Sequence, residues 1–359
     1  MKLQKFFNQI LKNFSNLSYM KKNYKSFAFV IFFILIILIS GCKGKKDTKK
    51  ALEQVRTGSE GIIMSFVPNN PPAIIHVEEV IDNPIKVVLQ LNNKGAYPQP
   101  NEGAQGLAPS SGNIYLSGYD QIIIKFTTTS FDLTKLALEG KSAINPNGGI
   151  DFVTFEGSID AKSLNVDKYE PTLLSTACYL YSTVAGPQVC IDPDPYSTIT
   201  KKKVCEVKGI SLTNQGAPIA ITKIEEEALA TKTQFRITIK NVGGGEVIKL
   251  ESVEKCNPIG DQKLGREDID KVYLQGVIVG NHYLPCRPLT DGKVTQGDVR
   301  LINGEGSIIC ELQKSDYGET ISSYTTPLRI QLNYVYKNTA ERKIQIKKET
   351  TSLSGGSSE

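Results

Sequence analysis

Seven cysteines carry the most definite side-chain chemistry in this 359-residue chain. Cys42 directly follows a long apolar run and stands apart from the others. The other six contain no CxxC pair, and an even number of cysteines in an exported chain predicts three disulfides with fifteen possible connectivities. These six are Cys178, Cys190, Cys205, Cys256, Cys286 and Cys310.

Two pairings compete for Cys190. Cys178 and Cys190 flank Ser182–Pro187, which we interpret as a hairpin turn that would bring the two thiols together across two strands. The remaining four cysteines would then pair with one another. A rival bridge from Cys190 to Cys205 would instead clamp the segment between them. Zinc is disfavoured because the chain has no CxxC pair and only two histidines.

Acidic residues offer one further ligand set. Asp192 and Asp194 lie beside Cys190 and precede Glu225–Glu227 in the chain, so their oxygens are candidate ligands of a structural Ca²⁺ ion. The alternative is that these are solvated turn acids between prolines. No other cofactor is predicted.

Motifs for catalysis are missing from the sequence. There is no GxSxG elbow, and two histidines, His76 and His282, leave little room for a histidine-based triad. Gly243–Gly245 follows one predicted strand and leads into another, so it indicates a turn rather than a phosphate-binding loop. The sequence therefore predicts a protein that is not an enzyme, with no catalytic, cofactor-binding or metal residues.

Period-two apolar patterns predict the elements that position these residues. They recur at Ile85–Leu91, Phe235–Ile239, Val272–Val279 and Leu328–Tyr336, separated by Asn, Gly and Pro. Such patterns are typical of antiparallel β-sandwiches. We expect an all-β fold.

The N-terminal segment predicts export and lipid anchoring. Three lysines after Met20 precede the apolar run Phe27–Ile39, which is short for a membrane span and typical of a signal peptide. Ser40-Gly41-Cys42 resembles the lipobox of prokaryotic lipoproteins, which implies a signal peptide over residues 1–41 and a lipidated Cys42. The compact leader from Met20 predicts that the true start is there. An uncleaved signal anchor is the alternative, and both put the rest of the chain on the extracytoplasmic side of the cell membrane.

The net charge expected after cleavage argues against a nucleic-acid partner. Residues 1–41 contain six lysines and no acid, so 36 of the 42 basic residues remain against 37 acidic ones after cleavage. A near-neutral mature chain is not expected to bind nucleic acid. The lysines of residues 43–50 lie within the predicted lipid-anchored linker 42–57, and we expect them to attract anionic lipid headgroups. The alternative is that they are solvated residues of a spacer.

Ordered self-matches at a spacing near 150 residues predict a tandem duplication. The copies span residues 58–196 and 201–348, and residues 349–359 form a polar, disordered tail. Ile191–Tyr196 would be the interdomain hinge, since two prolines interrupt it. The aligned pairs include Asn93 with Asn241, Gly95 with Gly243, Tyr179 with Tyr334, and Tyr181 with Tyr336.

Each copy has an Asn-x-Gly after an alternating strand, and we interpret these residues as ones that tolerate positive φ at a turn. The stretch Phe235–Val247 resembles the immunoglobulin-like CARDB module of archaeal and bacterial surface proteins. This resemblance implies two tandem immunoglobulin-like β-sandwich domains in a surface-displayed binding or spacer protein.

The Tyr-x-Tyr pairs, Tyr179/Tyr181 and Tyr334/Tyr336, each share one strand face. They favour stacking along a sheet, with a ligand-binding aromatic stripe as the alternative.

The expected function is that of a lipid-anchored binding or adhesion protein that recognises an envelope or cell-surface macromolecule. Recognition is predicted in the loops Lys94–Gly112 and Asn257–Glu267, because rigid frames present loops. The alternatives are a structural envelope spacer and an envelope-acting hydrolase with an unrecognised site.

Overall fold

Alternating apolar residues build the strands of this protein. In Pro84–Asn93, for example, Ile85, Val87, Leu89 and Leu91 are buried and the residues between them are more exposed. Side chains of a strand alternate between its two faces, so this pattern packs one face and leaves the other outward. The computed structural model describes residues 55–98, 111–197, 203–317 and 322–349. These residues are nearly all β, which confirms the predicted class.

We call residues 58–196 the first half and residues 201–348 the second half. The strands of the first half are β1 Ile62–Phe66, β2 Ile74–Val77, β3 Pro84–Asn93, β4 Gly112–Ser117, β5 Ile124–Phe126, β6 Ser130–Asp132, β7 Ile150–Ile159, β8 Lys168–Tyr169, β9 Thr172–Ala185 and β10 Gln188–Ile191.

The described residues of the second half form twelve strands and include the longest of the short 3₁₀ helices. The strands are β11 Ile210–Ser211, β12 Ile219–Ala228, β13 Lys232–Asn241, β14 Glu246–Ile248, β15 Lys271–Val279, β16 His282–Tyr283, β17 Cys286–Arg287, β18 Thr290–Lys293, β19 Gln296–Arg300, β20 Glu305–Gln313, β21 Tyr324–Lys343 and β22 Gln345–Lys348. The 3₁₀ helices are Leu133–Lys135, Ala161–Ser163, Leu250–Cys256 and Lys314–Tyr317.

The strands pack as an all-β sandwich. A four-stranded sheet, β1-β3-β7-β5, belongs to the first half, and a five-stranded sheet, β11-β12-β13-β20-β17, belongs to the second. One ten-stranded sheet, with the path β18-β19-β15-β21-β9-β4-β6, contains strands of both halves. The halves are therefore not separate sandwiches, and the described residues belong to one compact unit.

The two halves join along an antiparallel seam between β9 and β21. All fourteen residues of β9 pair with β21. Leu180 pairs with Val335, the residue that matches it in the predicted duplication. Antiparallel pairing of two equivalent strands places a two-fold axis at its midpoint, so the seam is an approximate two-fold interface within one chain.

Each half also places its last strand against the other half. From the first half, β10 pairs with the start of β21. From the second half, β22 pairs with β8 and, in parallel, with β2. Because β9 and β10 both lie along β21, Ser182–Pro187 is not a hairpin turn, and that part of the sequence interpretation is wrong.

Two apolar clusters lie on opposite faces of the ten-stranded sheet. The larger one is continuous through both halves and includes the four tyrosines of β9 and β21. The smaller one, on the other face, contains Tyr115, Cys178, Ile248, Cys256 and Val335. Residues next to each other on a strand point to opposite faces, as Val335 and Tyr336 do.

Candidate binding surface

Asn93, at the end of β3, connects that strand to the seam strand β9 through hydrogen bonds. Its Nδ2 donates to the carbonyl oxygens of Tyr97 at 2.8 Å and Leu138 at 2.9 Å. Its Oδ1 accepts from the Gly95 N–H at 3.1 Å and from the Tyr181 hydroxyl at 3.2 Å. A fully buried amide thus has every polar atom satisfied.

Asn241 repeats this arrangement in the second half. Its Nδ2 donates to the Gly245 carbonyl oxygen at 2.9 Å, and its Oδ1 accepts from the Gly243 N–H at 3.2 Å and the Tyr336 hydroxyl at 3.0 Å. The two halves therefore use equivalent residues for equivalent bonds.

The glycine of the Asn-x-Gly motif is required by close packing. A Cβ on Gly95 would overlap the Tyr181 hydroxyl, and a Cβ on Gly243 would overlap that of Tyr336. None of the four motif residues has positive φ. The sequence interpretation named the right residues but gave the wrong reason.

The four seam tyrosines form one buried cluster. Ring centroids of neighbouring pairs lie 5.7–6.3 Å apart, and each residue is at most 1% exposed. Burial raises the pKa of Tyr179 and of Tyr334 well above the usual range, so both hydroxyls stay protonated. The pairs stack inside the protein, and an exposed ligand-binding stripe at these residues is excluded.

Contacts cross the seam in both directions. The Thr183 hydroxyl donates to the carbonyl oxygen of Ile219 at 2.7 Å. Reciprocally, Asn338 Nδ2 donates to the carbonyl oxygen of Ile62 at 2.8 Å. Each half thus supplies a hydrogen-bonding group to a strand of the other half's outer sheet, which is β12 for Thr183 and β1 for Asn338.

Both predicted recognition loops leave the frame beside this seam. The Ser111 carbonyl oxygen accepts from the Leu180 N–H at 2.8 Å, Leu180 pairs with Val335, and Val335 pairs with Ile248. Neighbouring strands lie about 4.8 Å apart, so Ser111 and Ile248 are separated by roughly 14 Å. Residues 99–110 of the first loop lie outside the described residues.

A disulfide and a carboxylate hold the base of the second loop. Cys256 is bonded to Cys178 of β9, with their Cα atoms 6.3 Å apart. Asp268 accepts from Ser252 Oγ at 2.6 Å, from Lys255 Nζ at 2.9 Å and from the Gly265 N–H at 2.9 Å. Burial acts to raise the pKa of Asp268, but these donors outweigh it and lower the pKa to about 2. Most of Asn257–Glu267 is exposed.

The disulfides correct the favoured pairing. Cys178 bonds with Cys256 rather than Cys190, and it thereby links the two halves. Cys190 bonds with Cys205, which is the rival pairing. This bridge spans residues 191–204, which we call the connector because they link the two halves. Cys286 and Cys310 pair within the second half, on neighbouring strands. The six candidate cysteines are all paired, in a pattern fixed by long-range contacts.

The connector does not assemble the calcium ligands. Asp192 Oδ2 accepts from Lys203 Nζ at 2.5 Å, and Asp192 Oδ1 accepts from the Asp194 N–H at 3.2 Å. Burial raises the pKa of Glu226 to about 7, although the Cys190 N–H donates to its Oε2. Across the described ranges, no three Asp, Glu, His or Cys side chains are grouped to hold a metal ion.

The histidines lie apart on different sheets. His76, on β2, contacts Glu349, and His282 lies on the short edge strand β16. Gly243–Gly245 forms a turn between β13 and β14, as predicted.

Comparison with known proteins gives no relative for this chain. It matches no protein-family model and no curated protein. Within the described part of the chain, no helix has the length and apolarity needed to cross a membrane. Cys42, the predicted signal peptide 1–41 and residues 350–359 of the predicted tail lie outside the described residues.

Proposed function

We propose that this chain is a lipid-anchored protein of the outer cell-membrane face that binds a macromolecule of the cell envelope or surface and catalyses no reaction. The observation that carries the proposal is the position of the described loop ends beside the seam. Ser111, at the end of the first loop, bonds Leu180 of β9, and Cys256, at the base of the second loop, is bonded to Cys178 of β9. The disulfide between Cys178 and Cys256 holds the base of the second loop against β9, which lowers the ordering cost of binding there.

The two loops differ in sequence but leave equivalent positions beside the seam. In this proposal the two loops act together as one binding surface of two unlike parts. Recognition through loops on a rigid scaffold is the usual arrangement in binding proteins.

Loop replacement tests the proposal. Residues 99–110 and, separately, Pro258–Lys263 are replaced by Gly/Ser linkers of equal length in the protein that starts after Cys42. The replacement spares Ala96 and Tyr97, which are buried, and Ser111, which bonds Leu180. The control is a Gly/Ser insertion of the same length at the exposed Gly280–Asn281 turn.

Capture from the protein's own envelope fraction should fall at least tenfold in either loop variant and stay unchanged in the control. Undiminished capture in both loop variants would reject this surface and favour the spacer role. Turnover of an envelope substrate would reject the non-enzymatic assignment.

Lipid anchoring is tested independently. Mass spectrometry of the N-terminal peptide from native membranes should find Cys42 as a lipidated first residue. Cys42→Ser should release the protein or leave it in the wrong compartment, with the disulfides still formed. An intact peptide that spans Gly41–Lys43 would contradict cleavage at this site.

A further inference from the structure

The longest strand of the protein, β21, is flanked unevenly along its two sides. On one side, β9 pairs with Ile330–Lys343. On the other side, β15 pairs with β21 as far as Asn333, and β14 pairs with Val335–Lys337. Among the described residues, no strand pairs with this second side from Asn338 to Lys343. A stretch of strand edge is therefore open, and we call it the gap.

The gap lies between two strands rather than at the outer end of a sheet. β22 continues the line of β21 after Ile344, whose N–H donates to the Pro171 carbonyl oxygen next to β9. β8 pairs with β22 in the register in which β9 pairs with β21, so β2 lies on the side of β22 that corresponds to the open side of β21. The Gln345 N–H accordingly donates to the Ala73 carbonyl oxygen at 2.8 Å. The gap is thus bounded by β14 at one end and by β2 at the other.

Backbone groups of alternate residues point into the gap. In an antiparallel ladder, a residue directs its N–H and C=O to one neighbouring strand and the next residue directs them to the other. The Leu180 N–H donates to Ser111, away from β21, so its partner Val335 directs its own groups away from β9. Three further residues of the same parity direct theirs into the gap, and these are Thr339, Glu341 and Lys343. Among the described residues, these N–H and C=O groups have no backbone partner.

The side chains along the gap provide a charge pattern and an apolar seat. Glu341 and Lys343 are exposed on one face of β21, and Ala340 is half-buried on the other face. A cavity of about 230 Å³ lies at the β14 end, and Ala340, Ile63 and Gly244 are among the residues that line it. A Cβ at Gly244 would have no atom within 4 Å, so this end is unobstructed. An apolar side chain fits there, since about 150 Å³ is enough for benzene.

We propose that the gap binds an extended segment of a partner protein, which adds to β21 as an antiparallel strand opposite Thr339–Lys343. In such strand addition, main-chain hydrogen bonds give affinity and the side chains give specificity. Opposite charges stabilise residues that face each other across two strands. The partner is therefore expected to place a basic residue opposite Glu341, an acidic residue opposite Lys343 and an apolar residue opposite Ala340.

The ends of the gap favour a partner segment over other occupants. Residues 350–359 follow Glu349, whose N–H bonds to Val77 at the far end of β2, so they leave the fold beyond the gap. A second copy would bring its own β21, and twenty residues are too many for a gap that β14 and β2 close at both ends. A short exposed segment of another protein meets neither obstacle.

The probe is the acetylated and amidated pentapeptide Glu-Thr-Lys-Val-Thr. Antiparallel pairing places its glutamate, lysine and valine opposite Lys343, Glu341 and Ala340. It is titrated by NMR against the isotope-labelled, disulfide-bonded protein that starts after Cys42. We expect saturable binding with a Kd on the order of 0.1–1 mM, as befits a short peptide. The largest amide shifts should be those of Glu341, Lys343 and Thr339.

N-methylated peptides test the main-chain bonds. In this register the peptide lysine directs its N–H to the Glu341 carbonyl oxygen, whereas the valine directs its N–H away from β21. Methylation of the lysine nitrogen should lower the affinity about tenfold, the worth of one hydrogen bond. Methylation of the valine nitrogen should leave the affinity within about threefold. Equal affinities of the two methylated peptides would overturn strand addition.

Charge exchange tests the register. Glu341→Lys should lower the affinity about fivefold, and Glu227→Lys, the matched change on β12, should leave it within about twofold. A peptide with its glutamate and lysine exchanged should bind the double variant Glu341→Lys with Lys343→Glu as well as the original peptide binds the unmodified protein. Near-ultraviolet circular dichroism identifies the variants that remain folded. Failure of the exchange to restore binding in a folded double variant would contradict the proposal.

Other occupants of the gap give different results. Removal of residues 350–359 that raises the peptide affinity about tenfold would assign the gap to the chain's own tail. Self-association that Glu341→Lys abolishes would assign it to a second copy. Either result, or the absence of saturable binding to the unmodified protein, would overturn the proposal. Both loop-replacement variants should bind the peptide with unchanged affinity, so this test is separate from that of the loop surface.

Discussion

At the residue scale, the seam depends on two glycines that face tyrosine hydroxyls. Gly95 and Gly243 each leave room for a hydroxyl that bonds to an asparagine two positions earlier in the chain. A methyl group at either position must push the tyrosine ring or the strand away. Because this hydroxyl also accepts a backbone N–H, its displacement breaks more than one bond.

We predict that Gly95→Ala and Gly243→Ala each lower the free energy of unfolding by about 1–3 kcal/mol, the usual cost of overpacking. Urea denaturation measures the effect. Gly244→Ala is the control, and its stability should change by less than about 0.5 kcal/mol, as at open surface positions. Equal stabilities for all three variants would contradict the close-packing explanation.

Glu226 makes stability depend on pH. Its folded pKa of about 7 exceeds the unfolded value of 4.5, because burial disfavours the carboxylate. Between these pH values the folded state binds a proton that the unfolded state has lost, so stability decreases as the pH rises through this window. Above pH 7 the loss is complete.

Glu226→Gln should therefore be more stable than the parent protein at pH 8, by about 1–2 kcal/mol once the partial solvent exposure of the group is discounted. The difference should vanish near pH 4. Urea denaturation at both pH values measures it, and Glu225→Gln, at an exposed neighbour, is the control. A difference independent of pH would exclude Glu226 as the titrating group.

Local sequence identified the seam residues but not their roles. Asn93 and Gly95 stand out in the sequence as turn-forming residue types, yet the partner that requires a glycine is Tyr181, more than eighty residues later in the chain. The contact exists only after β9 has packed under β3. No local pattern contains that information.

At the element scale, the three disulfides constrain different lengths of chain. The bridged cysteines are separated by 78 residues for Cys178–Cys256, 24 for Cys286–Cys310 and 15 for Cys190–Cys205. A longer closed segment removes more conformational entropy from the unfolded chain. The bridge between the halves should therefore stabilise the fold most.

We predict losses of about 4.5, 3.4 and 3.0 kcal/mol when each bridge, in that order, is replaced by a pair of alanines. Guanidinium denaturation of the three double variants measures the order. A smaller loss for Cys178→Ala with Cys256→Ala than for the other two would show that native contacts, and not chain entropy, dominate.

The strand pattern itself was predictable, because alternation is a local property of each segment. The pairing of Cys178 was not. Its position on β9 and that of Cys256 on a 3₁₀ helix meet only through the pairing of β9 with β21 and of β21 with β14. The predicted hairpin at Ser182–Pro187 is wrong. Its turn-forming residues interrupt the strand only briefly between the end of β9 and the start of β10.

At the scale of the whole molecule, each half lacks parts that the other supplies. The seam joins the two halves of one sheet, and the strands β10 and β22 cross between them. An isolated half would expose the edge of its seam strand and the apolar residues along it. Neither half is expected to fold alone.

We predict that cleavage of the connector leaves a single folded particle. A protease site replaces residues 198–202, and the cut protein is studied by light scattering without reductant and after mild reduction. Both samples should keep the mass of the intact chain, because the seam and the exchanged strands hold the pieces together. Separation into two folded monomers after reduction would show that the halves are independent domains.

The predicted duplication was visible in the sequence as matched residues, and the matched asparagines and tyrosines make equivalent bonds in the two halves. The continuity of the sheet across the copies was not visible there. Tandem modules with separate cores and tandem halves with a shared core need the same alternating patterns, since both bury one face of each strand. The boundaries at residues 196 and 201 remain predictions.

The two-fold seam also sets the stoichiometry of anything that binds here. A true homodimer with this interface would present every cavity and every loop twice, and a second binding event would follow the first. In this single chain, the two loops that leave the frame beside the seam differ in sequence, so the chain presents one surface of two unlike parts rather than two equal surfaces. One chain therefore offers one site, so binding curves should be hyperbolic, with a Hill coefficient of about 1.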